Sequence, residues 1–293
     1  MIMRRNTSIL AAAVASLACA PAFAVSSASA SLGPLSITLV DLDPFDGIAP
    51  SITFNAALGN YVYASAWDTS NGQSSNEMLV GAAAWDPGAV ATSGVANAWA
   101  KSSIAGSGSA DTTTFSASGA ALGSGAPGNQ AEFNGVAGMP YYGGSVFSLS
   151  AHTSVVISAS SAVSAGVTHW WDPALGTEIE YAQATSGLVI ADSVSGANDA
   201  LQAYTNGKTY DTSPPCPSMV YGYCYGPDSV SDSRELSVSL VNDSDASVEG
   251  YMQAYVQAYG YSYAPAVPEP ETWALMLAGL VGLRLVSSRC RLP

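Results

Sequence analysis

Tyr251-Met-Gln-Ala-Tyr-Val-Gln-Ala-Tyr-Gly-Tyr-Ser-Tyr263 alternates from end to end. The even positions Met252, Ala254, Val256, Ala258 and Gly260 are small or apolar. The odd positions are Tyr251, Gln253, Tyr255, Gln257, Tyr259, Tyr261 and Tyr263. Successive side chains of a strand point to opposite faces. The segment therefore predicts a strand with a small apolar core face and an amphipathic Tyr/Gln ladder opposite. Tyr251, Tyr255 and Tyr259 on that ladder suit stacking on sugar rings or packing a partner. The plainer reading is that cross-strand aromatic pairs stabilise the sheet.

The same period recurs elsewhere. Leu236-Ser-Val-Ser-Leu240 alternates strictly, and Ser36-Ile-Thr-Leu-Val40 places Leu35, Ile37 and Leu39 on one face. Ser145-Val-Phe-Ser-Leu-Ser-Ala-His-Thr-Ser-Val-Val-Ile-Ser158 reads as one long β stretch. Asp111-Thr-Thr-Thr-Phe115 predicts a strand inside the Gly/Ser/Ala-rich segment from Gly106 to Gly128. Clusters of Gly, Asn, Asp and Pro separate these runs. No convincing amphipathic helix is found between residues 31 and 264. The expected fold is all-β, an antiparallel, jelly-roll-like β-sandwich. Trp-Asp occurs at Trp67-Asp68, Trp85-Asp86 and Trp171-Asp172, each expected to end a strand with a buried ring and enter a turn. Their unequal spacing excludes a regular repeat.

Charge is scarce and one-sided. Charged residues are 10% of the 293, against about 25% in ordinary soluble domains. Between Val25 and Ala266 the basic residues are Lys101, Lys208 and Arg234, against 20 acidic ones, a formal charge of −17. Such a body repels nucleic acid and anionic surfaces, and its charge serves solubility. In the same span Cys216 and Cys224 flank a Pro/Tyr/Gly-rich loop. An exported chain would close them as a local disulfide worth about 2–3 kcal/mol. Two cysteines are too few for a structural zinc site.

Both ends read as removable signals. Arg4 and Arg5 precede an apolar run from Ser8 to Ala20, and Ala22-Phe23-Ala24 supplies a small-x-small cleavage site. The mature chain is expected to start at Val25, although a second Ala-x-Ala ends at Ala30. Cys19 does not make a lipoprotein site, because Leu17 is one place too close to it. At the other end Pro265, Pro268 and Pro270 form an extended strip. An uncharged apolar run follows from Thr272 to Leu283, with Trp273 at its leading edge. Arg284, Arg289 and Arg291 close the chain on what would be the cytoplasmic side. As a helix the run spans about 18 Å, short of a hydrocarbon core of about 30 Å. Snorkelling of Arg284 would add Leu285 and Val286 to the span. On length alone a buried terminal helix competes with a membrane anchor.

Val267-Pro-Glu-Pro-Glu-Thr-Trp-Ala-Leu-Met-Leu-Ala-Gly-Leu280 resembles the PEP-CTERM sorting signal of Gram-negative bacteria. In that family a Pro-Glu-Pro motif precedes one apolar helix and a basic tail, and an exosortase, a membrane cysteine transpeptidase, is thought to process it. Pro268, Glu269 and Pro270 match the motif, and Thr272, Trp273, Ala274 and Leu275 match its continuation. The basic tail departs from the pattern at Ser287, Ser288 and Cys290. The opening from Leu35 to Phe54 is also similar to the start of many PEP-CTERM surface proteins. The resemblance implies a signal peptide at 1–24, a secreted domain at 25–264 and a sorting signal at 265–293 whose transmembrane helix covers 272–286. It implies signal peptidase and exosortase as partners. The chain would be anchored in the inner membrane before processing, then reside on the outer surface or outside the cell.

For the body the expected role is structural or adhesive, within the envelope or exopolysaccharide matrix. The alternatives are a carbohydrate-binding module using the tyrosine face and a glycan hydrolase. Catalysis has little support. His152 and His169 are the only histidines, and no nucleophile elbow, His-Glu-x-x-His or phosphate-binding loop is present. Glu178 and Glu180 near Trp170 and Trp171 evoke the carboxylate pair of a glycosidase. Both would share one face of a strand, which reads as a solvated edge, and His169 reads as packing. No cofactor is expected except calcium at Asp41, Asp43 and Asp46 before Gly47. That run is not an EF-hand loop, since Phe45 stands in the third ligand place and no Glu occupies the twelfth. Its plainer reading is a strand-to-turn transition.

Overall fold

The computed structural model of the protein describes residues 24–55, 59–83, 85–139, 147–168, 171–172, 177–178, 180–205, 218–220, 223–225 and 229–264. The sorting motif Pro268-Glu269-Pro270, the anchor residues Trp273, Arg284, Arg289 and Arg291, and Ala22 lie outside them. So do Cys216 and His169; of Cys224 the backbone alone is described. Among the described residues no helix is long and apolar enough to cross a membrane.

Two antiparallel sheets make up the body. The first has seven strands: β1 (Ala24–Leu32), β2 (Ser36–Asp41), β6 (Val90–Val95), β7 (Ala98–Ala105), β8 (Thr114–Gly123), β11 (Thr153–Val167) and β18 (Ser229–Asn242). Their order is β18-β11-β1-β8-β7-β6, with β2 continuing along β11 where β1 ends. The second sheet holds β3 (Ile52–Phe54), β4 (Tyr61–Asp68), β5 (Gln73–Val80), β9 (Gln130–Met139), β10 (Phe147–Leu149), β14 (Glu180–Ala191), β15 (Gly196–Thr205) and β19 (Val248–Tyr263). Its order is β15-β14-β19-β9-β4-β5, and β3 and β10 extend the end of β19. Two small hairpins stand apart: β12 (Trp171–Asp172) with β13 (Thr177–Glu178), and β16 (Ser218–Val220) with β17 (Tyr223–Tyr225).

The sheets meet over alanine. Ala28, Ala30, Ala64, Ala100, Ala117, Ala137, Ala182, Ala184, Ala254 and Ala258 are all buried in one core with Val62, Leu188, Ile190 and Leu236. Small residues bring the layers close, so the larger rings need gaps to enter. Phe133 of β9 sits in such a gap. A Cβ on Gly119 of β8 would fall 2.2 Å from its ring, and one on Gly260 of β19 would fall 2.6 Å from it. Phe147 likewise fills the space above Gly250, where a Cβ would lie 2.1 Å from the ring.

Polar bonds tie the strands at both open edges of the sandwich. At one, Arg234 of β18 donates from both guanidinium nitrogens to Asp199 of β15, at 2.9 and 2.5 Å, and also to the Ala200 carbonyl. These bonds hold the Asp199 carboxyl below its usual range. At the other, the Thr92 amide of β6 donates to Glu77 of β5 at 2.7 Å, and the Ser93 hydroxyl donates to the Ser75 carbonyl.

Three expectations change. The stretch from Ser145 to Ser158 is not one strand: β10 belongs to the second sheet and β11 to the first. The chain crosses at residues 150–152, where His152 takes φ 46° and the Asn242 amide donates to the carbonyls of Leu149, Ser150 and Ala246. No Gly or Pro marks that break. Trp67 is not buried but 42% exposed. Parity in β4 turns Val62, Ala64, Ala66 and Asp68 inward, so the buried member of that pair is the aspartate. Asp68 accepts from Ser70, Asn71 and Asn97. Glu180 is not on a solvated edge; it is fully buried. Trp85 does pack inward, its ring 5.3 Å from Phe54 and edge-on to it.

Candidate functional site

β19 presents its residues as its alternation requires. Met252, Ala254, Val256 and Ala258 are 0% exposed, while the Tyr/Gln set is half-buried on the outer face of the second sheet. Register joins that ladder to four neighbouring strands. Across one row stand Tyr61, Gly138, Tyr255, Gly187 and Ala200. The next holds Tyr63, Val136, Gln257, Thr185 and Gln202. A third holds Ser65, Asn134, Tyr259, Gln183 and Tyr204, and a fourth Trp67, Glu132, Tyr261 and Tyr181. One continuous face therefore alternates aromatic rings with amides and hydroxyls.

The rings are held in two groups. At one end Tyr181 and Tyr261 stack with centroids 5.7 Å apart and planes at 23°. Tyr259 packs against both, at 6.1 and 6.4 Å, and Tyr263 meets Tyr261 edge-on at 5.6 Å. Such pairs stabilise beyond the area they bury, by about 0.5–1.5 kcal/mol each. At the other end Tyr255 lies across Gly187. A Cβ there would meet Cε1, Cζ and the hydroxyl oxygen of Tyr255 at 2.6–2.7 Å, so the glycine is what allows the ring to lie down on the sheet. On the opposite side a Cβ on Gly138 would lie 3.2 Å from Tyr61 Cε1 and 3.2 Å from Tyr255 Cβ, a tight fit beside both side chains. A ring laid flat over a glycine turns one face to solvent. Tyr255 and Tyr259 are four residues apart, about 14 Å along the strand.

Between the groups lie hydrogen-bonding side chains. Gln257 donates to Asn134 at 3.3 Å, and the Tyr181 hydroxyl donates to Gln183 at 2.8 Å. Burial pushes the Tyr259 phenol up, with Glu132, Tyr181 and Tyr263 adding to the effect. Burial likewise raises Tyr61, together with Tyr251 and Tyr255, and raises Tyr251. All three are therefore neutral hydroxyls well above neutral pH. No Lys or Arg stands on this face among the described residues; Glu132 and Glu249 are its acids, and burial raises the Glu132 carboxyl. The other sheet's outer face is a shallow serine groove of about 560 Å³, with Ser29, Ser31, Ser116, Ser118, Ser164 and Ser231 among its walls and no ring in it.

The remaining candidates separate from this face. Asp41, Asp43 and Asp46 do not converge. Asp41 accepts from the Asp43 amide at 3.0 Å, Asp43 from the Phe45 amide at 3.2 Å, and Asp46 from the Ile48 amide at 2.6 Å. Each carboxylate caps its own turn, and among the described residues no group of three potential ligands could hold a metal. Glu178 and Glu180 belong to different strands, β13 and β14. Glu180 accepts from the Thr168 amide at 2.6 Å and the Thr168 hydroxyl at 3.0 Å. His152 contacts Asp245 at 2.9 Å in an exposed turn.

Sequence reasoning found Tyr251, Tyr255 and Tyr259 but missed Tyr61, Tyr63, Trp67, Asn134, Tyr181, Gln183 and Tyr204. Its own rule would have found several: Tyr61-Val-Tyr-Ala-Ser-Ala-Trp67 alternates as β19 does, and so does Tyr181-Ala-Gln-Ala-Thr185. No family model, curated protein or solved structure matches the chain.

Proposed function

We propose that this is an exported, non-enzymatic protein of the envelope or extracellular polysaccharide matrix, a jelly-roll-like sandwich that adheres to neutral glycan through its tyrosine/amide face. One observation carries the reading: the Tyr255 ring laid across Gly187 on a face where rings alternate with amide donors and acceptors. Sugar rings combine an apolar face with a rim of hydroxyls, and this surface offers a partner to each. The absence of basic residues from this face among the described residues, beside a body of formal charge −17, disfavours acidic polysaccharide.

Delivery follows from the termini. Signal peptidase would cut after Ala24, and the 272–286 helix would hold the chain in the inner membrane. An exosortase would then act at Pro268-Glu269-Pro270. The hydrolase alternative needs two facing carboxylates about 5–10 Å apart. On the outer face Glu132 lies opposite Tyr261, twelve residues along β19 from Glu249, about 40 Å at strand rise.

The test is retention on polysaccharide purified from the producing organism. The wild-type chain should be retained, with little dependence on salt and none on pH between 7 and 9, while a Tyr255→Ala, Tyr259→Ala variant should flow through. Equal retention of the variant removes the tyrosine face from the account, and steep salt dependence points to ionic adhesion instead.

A further inference from the structure

β1 begins at Ala24, the residue that completes Ala22-Phe23-Ala24. By its third residue the strand is fully inside the first sheet, with Ser26 paired to Val167 on one side and Ala121 on the other. Val25 stands at the doorway. Its amide donates to the Thr168 hydroxyl oxygen at 2.9 Å, and its carbonyl accepts from the Thr168 amide at 3.1 Å. The Thr168 hydroxyl in turn donates to Glu180, whose side chain is 0% exposed. A backbone nitrogen at the proposed cleavage point is thus one hydroxyl away from a buried carboxylate.

We propose that this Thr168–Glu180 pair is a seat for the mature N-terminus, so that the α-ammonium created at Val25 locks β1 into the first sheet. Water splits the Ala24–Val25 bond; Ala24 leaves as the carboxylate end of the signal peptide, and the Val25 nitrogen gains protons to become an ammonium. One donor hydrogen becomes three, and a positive charge forms one bridging hydroxyl away from the buried Glu180 carboxylate. The same geometry chooses between the two small-x-small sites. A cut after Ala30 would remove buried Ser26, Ala28 and Ala30 and leave β8 and β11 without the strand that joins them. A cut after Ala24 leaves Ser26, Ala28 and Ala30 in place. Because Ala24 pairs with Gly123 once folded, cleavage must precede closure of the sheet.

The inference rests on the export half of the proposed function, and the experiment separates the two. The protein is purified from its secreting host and its N-terminus read by mass spectrometry. The α-amine is then acetylated selectively near pH 6.5, where lysines are far less reactive because their pKa is about 10.4 against roughly 7.7–8.0. Thermal unfolding is compared before and after. The expected N-terminus is Val25, and acetylation should lower the midpoint by about 2–4 °C. That loss should vanish in Glu180→Gln and in Thr168→Val; Thr168 is exposed, so its variant keeps the core intact. A retained Met1 overturns export itself. Export with a start at Ser31, an unshifted midpoint on acetylation, or an equal shift in the Thr168→Val chain overturns the seat alone.

Discussion

Gly119→Ala tests whether the closeness of the sheets is what builds this core. The added Cβ would fall 2.2 Å from Phe133 Cδ2, 2.8 Å from Cγ and 2.8 Å from the Trp99 carbonyl oxygen. Ordinary carbon contacts are about 3.5–4.0 Å, so the shortfall exceeds an ångström. Phe133 cannot retreat, because the far side of its ring already fills the space over Gly260 and the side chain is 0% exposed. Overpacking of this kind costs about 1–3 kcal/mol, and a ring forced off its rotamer about 0.5–1.5 more. Glycine 119 has no positive φ, so alanine fits the backbone and returns about 0.5–1 kcal/mol of strand propensity. The net expected loss is about 2 kcal/mol, read from urea unfolding by tryptophan fluorescence. Phe133→Leu shortens the ring's reach, so the Gly119→Ala, Phe133→Leu chain should be at least about 1 kcal/mol more stable than the two single losses predict. A Gly119→Ala chain within about 0.5 kcal/mol of wild type, or strictly additive losses, would refute the argument that Phe133 is clamped between two glycines.

Gly187→Ala is the contrasting case on the outer face. There the clash is with the far end of Tyr255, which has solvent beyond it and can swing away, so stability should stay within about 0.5 kcal/mol while glycan affinity falls roughly three- to tenfold; isothermal titration with purified glycan reads the second quantity, and unchanged affinity would sever Tyr255 from binding. At Asp68, burial alone would raise the carboxyl, but hydrogen bonds from Ser70, Asn97 and Asn71 outweigh it and hold the group below its ordinary value. Its stabilising contribution is therefore complete above about pH 4 and lost as pH falls through the lower folded value. Asp68→Ala should cost about 3 kcal/mol at neutral pH, and its deficit against wild type should shrink in acid unfolding titrations; a deficit independent of pH would deny the charged acceptor its part.

Strand identity was legible wherever two periods of alternation ran undisturbed, as in β19 and the second half of β18, because burial of one face forces that pattern. It failed where tertiary bonds, not residue type, end a strand. Nothing in Ser150-Ala-His152 announces a crossing between sheets; the Asn242 amide that caps the carbonyls lies some ninety residues away. β1 was overlooked for a related reason, since Val25-Ser-Ser-Ala-Ser-Ala-Ser31 is too small and polar to read as a central strand, and the signal-peptide pattern claims its first residues. Trp67 was read inward because large rings usually are, whereas parity with Val62, Ala64 and Ala66 decides otherwise. Each of the three aspartates after β2 accepts from the backbone amide two residues on, a pairing that their spacing alone does not announce.

The face itself was half visible, and what hid the rest also explains the composition. A ladder on one strand can be read from one segment, but a platform depends on register among β4, β9, β19, β14 and β15, which are scattered over some 200 residues. Glycine and alanine, so abundant as to suggest loose or merely soluble sequence, are what that platform requires. Inside, Gly119 and Gly260 admit Phe133; outside, Gly187 lets Tyr255 lie down, and Gly138 leaves space beside Tyr61. Larger neighbours would stand the rings on edge and wedge the sheets apart. Scarce charge on this face fits the proposed contact with uncharged hydroxyl-rich polymer, since charged groups would hold their own water tightly. Small residues here are therefore not filler between aromatics but the condition under which few aromatics can serve as a flat surface.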